Sequence, residues 1–288
     1  MGAKGKRGVI GVSRIYYAEG VKVVEEIKVE TPFGDPSDLF TLTDFDGTPV
    51  VFLPRHGKGH RYTPTEVPYL ANIWAMKFLG VERIITFSAV GSLTEEIPPC
   101  DFVIPSQIID RTRSRENSFF GNGIVGHVSF ADPFCHELND ALYNSVNKSG
   151  LVKVHKDKTY ICMEGPLFST KAESKLYKSW GADIIGMTSL PEAKLAREAG
   201  ICYSTIAMST DFDSWHEGHD SVTLDMVLKN AVTNSSNAQK MIKDLIKSIP
   251  STAKCGCREA AKYAIVTDKK LIPAEVKKKL DILFGEYF

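Results

Sequence analysis

The chain has 288 residues, 43% of them hydrophobic, and 35 basic against 35 acidic side chains for a formal net charge of zero. That length supports one large globular domain with a sizeable core, and the charge balance excludes a global field that would draw the chain to nucleic acid or to an anionic membrane. No run approaches the roughly 18 apolar residues that span a bilayer, so the expectation is a cytoplasmic protein that binds any anionic partner locally.

In chain order, apolar β-branched runs predict strands at 8–12, 50–53, 84–88, 102–104, 161–163, 184–187 and 201–208. Between them, apolar residues at three- and four-residue spacing predict helices at 67–79, 133–149, 170–180, 191–199 and 224–249. This alternation implies an α/β domain over 1–250, with a central mixed, largely parallel sheet flanked by helices. The Lys-rich segment 251–288 is expected to be a helical extension that completes or flanks the same domain. Trp74 and Trp180 read as core, and His60, His216 and His219 as surface or hydrogen-bonded histidines.

Six cysteines in a chain of this length do not make the disulfide scaffold of a small secreted protein. Cys255-Gly256-Cys257 is closer spaced than a C-x-x-C zinc knuckle and has no second ligand pair nearby in sequence, so the expectation is thiols and no metal, with a redox or structural role for the pair left open.

In such folds ligands sit beyond the carboxyl ends of the strands. Gly11-Val12-Ser13-Arg14 offers N–H groups and a hydroxyl to an anion. In Pro54-Arg55-His56-Gly57-Lys58-Gly59-His60 an arginine fork can grip an oxyanion, although a solvated basic loop has the same composition. The small residues of Phe87-Ser88-Ala89-Val90-Gly91-Ser92 form a third such loop. Neither G-x-G-x-x-G nor G-x-x-x-x-G-K-[ST] occurs, so inorganic phosphate fits these loops better than a dinucleotide or a nucleoside triphosphate. The segments 164–170 and 186–192 supply the opposite side. Phe168 can stack on a flat ring and Met187 can pack on a sugar face, with plain core packing as the alternative for both. The pair Asp211 and Asp213 in Ser-Thr-Asp-Phe-Asp ends the last predicted strand, where a carboxyl can hold a proton for a leaving group and where solvated acids also occur.

The motifs PRHGKGH (54–60), SAVGSL (88–93), EGPLFSTKAES (164–174), GADIIGMTSLPEAKLAREAGICY (181–203) and STDFDSW (209–215), with TPFGDPSD (31–38), resemble the trimeric purine nucleoside phosphorylases over roughly residues 8–249. The resemblance implies phosphorolysis of a purine nucleoside to free base and a ribose 1-phosphate, with phosphate as co-substrate and no cofactor. It implies phosphate contacts from Ser13, Arg55, His56, Ser88, the Ala89 N–H and Thr188. Met187 would lie under the ribose, Phe168 near the purine, and Asp211 and Asp213 at its N7 and 6-amino edge. His127 of a neighbouring subunit and Val222, Val227 and Leu228 would surround the 5′-substituent, which implies a homotrimer or a dimer of trimers. Members selective for 6-oxopurines carry Asn where Asp211 stands, so Asp211 implies adenine. The apolar 5′ wall suits a methylthio group, so the implied reaction converts 5′-methylthioadenosine to adenine and 5-methylthioribose 1-phosphate. Phosphorolysis of adenosine or of 6-oxopurine nucleosides, and a non-catalytic nucleoside-binding relative, stay open. The chain departs from the family pattern at Gly11-Val12-Ser13-Arg14-Ile15, where G-G-[ST]-G-L is usual, and at Leu167, where Arg is common.

Overall fold

The computed structural model describes residues 6–11, 22–216 and 224–288. Strands β1 (Lys6–Gly11), β2 (Lys22–Ile27), β3 (Phe40–Phe45) and β4 (Thr48–Pro54) precede helix α1 (Tyr69–Phe78). After β5 (Val81–Ser92) and β6 (Phe102–Arg111) come α2 (His136–Ser149), β7 (Val154–Met163), α3 (Lys171–Ser179), β8 (Ile184–Gly186), α4 (Ser189–Glu198) and β9 (Cys202–Asp211). Helices α5 (Leu224–Ser248) and α6 (Ala274–Phe284) end the chain.

The expected mixed α/β architecture is present as one nine-stranded sheet in the order β2-β3-β4-β1-β5-β8-β7-β6-β9. The pairings of β4 with β1, β1 with β5, β5 with β9 and β6 with β7 are parallel, and those of β2 with β3 and β3 with β4 are antiparallel. Because β9 pairs with both β5 and β6, the far half of the sheet closes into a small barrel.

Alternation along the central strands feeds two cores at once. Ile10, Ile84, Tyr203 and Ala207 face one cluster with α1, α4 and α6. Their neighbours Val9, Ile85, Cys202 and Ile206 face another with α2 and α5. All ten residues of β9 are buried, so a charged group at its end is forced to share that interior.

The predicted strands are all found, several of them longer than their apolar runs. The hairpin β2–β3 escaped notice because KVVEEI is solvent-facing and FTLTDF interleaves polar with apolar residues. Asp46-Gly47, with φ of 51° and 85°, turns β3 into β4 and was a legible hairpin signal. Trp180 is a correction: it is 45% exposed, with Arg111 over its ring, and is not core. The tail packs inward, since Ile272, Val276, Leu280, Leu283 and Phe284 join the cluster that contains α1.

Candidate active site

β1 and β4 end level, because Gly11 pairs with Pro54, while β5, on the other side of β1 with Ile10 opposite Thr86, runs on past them to Ser92. Arg55 therefore follows the last residue of β4, and Ser88, within β5, stands one step beyond the end of β1 on its other side. Ser13 and Val222 lie outside the described residues.

Arg55 is buried, and its fork is largely engaged. Nε donates to Glu192 Oε1 at 2.6 Å, Nη2 to Glu192 Oε2 at 3.0 Å and Nη1 to the Phe87 carbonyl at 3.1 Å. A guanidinium has five N–H groups, so two remain for a ligand. Burial works to lower the Arg55 pKa, but the charge and hydrogen bonds of Glu192 outweigh it and hold the group above its ordinary value. Glu192 is fully buried and also accepts from Tyr203 Oη at 2.9 Å.

His56 Nδ1 lies 2.9 Å from the Tyr62 carbonyl. A carbonyl only accepts, so Nδ1 carries the proton and Nε2 keeps its lone pair. Burial, aided by the Arg55 charge, lowers the His56 pKa to about 4, which keeps the ring neutral. Ser88 and Thr188, both buried, share a hydroxyl–hydroxyl hydrogen bond of 2.9 Å. Thr188 stands at the start of α4 without capping it, which leaves its hydroxyl for Ser88. Ala89 is exposed beside them.

Three residues further along β5, Gly91 pairs with Asp211. Asp211 is 5% exposed, accepts from Thr210 Oγ1 at 2.7 Å and from the Asp213 N–H at 2.8 Å, and has its pKa raised, chiefly by burial. Asp213, at φ 46°, is buried and also raised by burial, and its Oδ2 has no hydrogen-bond partner. Gly91 makes room for both, since a Cβ there would sit 3.0 Å from Asp211 Oδ1 and 3.2 Å from Asp213 Cβ. From behind, α5 fixes this strand end: Asn230 Nδ2 donates to the Thr210 carbonyl at 2.7 Å and Asn234 Nδ2 to the Ser209 carbonyl at 2.8 Å.

Met187 lies against Gly165, whose φ of 70° and missing Cβ admit the thioether. Phe168 is 44% exposed, so the core alternative fails for it. Val227 is half-buried and Leu228 exposed on the first turn of α5, and the exposed His127 is pinned through its N–H to the Ala264 carbonyl at 2.9 Å. The described contacts join none of these three to the cluster around Ser88 and Asp211.

Two residues that hold the site together went unrecognised in the sequence. Glu192 was visible as a charge on the apolar face formed with Leu195, Ala196 and Ala199. Arg115 donates to the Met187 and Leu190 carbonyls at 2.6 Å each and to Glu164 Oε1 at 3.2 Å, tying the segments 164–170 and 186–192 to one cation. It lies in a loop, and no periodic signal marks it.

A phosphorylase-superfamily profile matches residues 6–247. The S-methyl-5′-thioadenosine phosphorylase of Geobacter sulfurreducens is 54% identical over 97% of this chain and 98% of its own length, and that of Koribacter versatilis 51% identical over 98% and 96%. A solved methylthioadenosine phosphorylase from an antarctic soil metagenomic library superposes with a TM-score of 0.93 at 46% identity, over 97% of this chain and 99% of its own. A mutant adenosine/methylthioadenosine phosphorylase of Schistosoma mansoni, solved with adenine, gives 0.84 at 36% identity, over 90% and 96%. The profile over residues 6–247 and these full-length relatives agree: this chain belongs to the phosphorylase superfamily.

Proposed function

We infer that this enzyme cleaves 5′-methylthioadenosine with inorganic phosphate, releasing adenine and 5-methylthioribose 1-phosphate. The observation that carries the chemistry is the buried Asp211 at the end of β9, its pKa raised chiefly by burial, paired with Gly91 three residues along β5 from Ser88 of the hydroxyl pair Ser88–Thr188. At a rise of about 3.3 Å per residue the two levels stand about 10 Å apart, which leaves space for a sugar between an anion and a base.

Phosphate is held by Ser88, Thr188, the Ala89 N–H and the two spare N–H groups of Arg55, and we assign Ser13 as a further phosphate contact. The bare Nε2 of neutral His56 accepts from a phosphate hydroxyl and so orients the attacking oxygen. As the glycosidic bond breaks, the sugar gains oxocarbenium character that the phosphate anion stabilises. Asp211 gives a proton or a short hydrogen bond to N7, which makes adenine a better leaving group. The unpartnered Oδ2 of Asp213 accepts from the 6-amino group. Met187 lies under the ribose, Phe168 beside the purine, and Val222, Val227 and Leu228 face the methylthio group. His127 reaches the 5′ side from a neighbouring subunit of a homotrimer. The reaction needs no cofactor, and we place it in the cytoplasm.

The test compares 5′-methylthioadenosine, adenosine and inosine with and without phosphate. The expected result is phosphate-dependent adenine release that is fastest for methylthioadenosine. Equal turnover of inosine, or base release independent of phosphate, refutes the reading.

A further inference from the structure

Four of the six cysteines meet at one point. The Sγ atoms of Cys135, Cys202, Cys255 and Cys257 all lie within 4.8 Å of one another, with Cys202 and Cys255 at 3.3 Å. The expectation that Cys255-Gly256-Cys257 has no second ligand pair is thereby corrected, because the pair arrives from elements 53 and 120 or more residues away in sequence. Cys135 precedes α2, Cys202 opens β9, and the other two flank a tight turn at Gly256 (φ −81°, ψ 8°). All six cysteines are unbridged.

We propose that these four side chains form a structural zinc site, a tetrathiolate that clips the segment after α5 to the body of the fold. Zinc binds sulfur at about 2.3 Å in tetrahedral geometry, which puts the sulfurs of such a site about 3.8 Å apart. The thiols already converge within that scale, and closing onto an ion needs shifts of only about an ångström. Tetrahedral S₄ sites select zinc or iron among common metals, and zinc needs no redox partner. Loading releases four thiol protons to water and leaves a centre with two net negative charges.

The surroundings suit that charge. Arg197 Nη1 donates to Cys257 Sγ at 3.7 Å, and the same arginine is held by the Asp132 carbonyl. Cys135 stands at the N-terminus of α2, the positive end of a 14-residue helix. Glu137 Oε2 accepts from the N–H groups of Lys254 and Cys255 at 2.9 and 3.1 Å, and so orients the arriving loop. A cleft lined by Ser129, His136, Cys135, Cys255 and Cys257 opens the cluster to solvent and gives an ion its route in. The other two cysteines contrast with this group: Cys162 is bonded to Leu190 and Cys100 to Asn230.

The test is metal analysis of the full-length protein expressed with zinc and purified under reduction without chelator. One zinc per chain is expected, lost in Cys202→Ser and Cys255→Ser and kept in Cys100→Ser. Exchange with Co²⁺ gives the sulfur-to-metal charge-transfer bands of a tetrahedral tetrathiolate, and chelation lowers the melting temperature of wild type but not of Cys255→Ser. The proposal is overturned by wild-type protein that holds no metal while its four thiols titrate freely, by iron in place of zinc, or by disulfides among these cysteines after alkylation without reduction. Wild-type stoichiometry decides the matter even where a variant fails to fold.

Discussion

Glu192→Gln removes the counter-charge of a buried arginine while keeping the side-chain shape. Wild-type Glu192 accepts two bonds from Arg55 at 2.6 and 3.0 Å and one from Tyr203 at 2.9 Å, with both members of the ion pair out of solvent. Orphaning one partner of such a pair costs about 3–5 kcal/mol. Unfolding entropy of about 2.1 cal/mol/K per residue over 288 residues amounts to about 0.6 kcal/mol/K, so the melting temperature should fall by about 5–8 °C. The Arg55 fork also loses the clamp that aims its free N–H groups, so the KM for phosphate should rise more than the KM for the nucleoside. Calorimetry and initial rates at varied phosphate measure both effects. A variant that melts within about 1 °C of wild type and keeps its phosphate KM would show that Glu192 neither neutralises nor positions Arg55.

His56 supplies a pH signature. Its folded pKa of about 4 lies below the ordinary 6.5, so the unfolded chain binds the extra proton first and stability falls as pH drops from about 6.5 towards 4. Denaturant titrations across that range should show a shallower pH slope in His56→Gln, and an identical slope would contradict a neutral, buried ring. Gly91→Ala places a methyl 3.0 Å from Asp211 Oδ1 and 3.1 Å from Ile185 Cγ2, so kcat should drop while the melting temperature moves little. Unchanged kcat in that variant would mean that the acid tolerates displacement.

The sheet was legible because its central strands are short apolar runs with helical periodicity between them, and Ile84, Ile85 and Ile206 could belong nowhere but a two-sided core. The edge hairpin was not, since a solvent-facing strand such as KVVEEI carries no burial pattern. At the site, the sequence exposed the groups proposed to meet ligand, such as Ser88 and Asp211, because position near the strand ends and residue chemistry coincide there. It hid the groups that hold them. Glu192 and Arg115 act through partners 137 and up to 75 residues distant, and spacing along the chain says nothing about such contacts. The cysteine cluster was hidden for the same reason, as only its C-x-C half is local.

The most direct test of the central claim is Asp211→Asn assayed with 5′-methylthioadenosine and saturating phosphate. Asparagine keeps the shape and cannot hold the proton, so kcat/KM should fall by about 10²–10⁴ while phosphate still protects the fold against heat. A variant that releases adenine at the wild-type rate would contradict a mechanism in which this buried acid lets the purine depart.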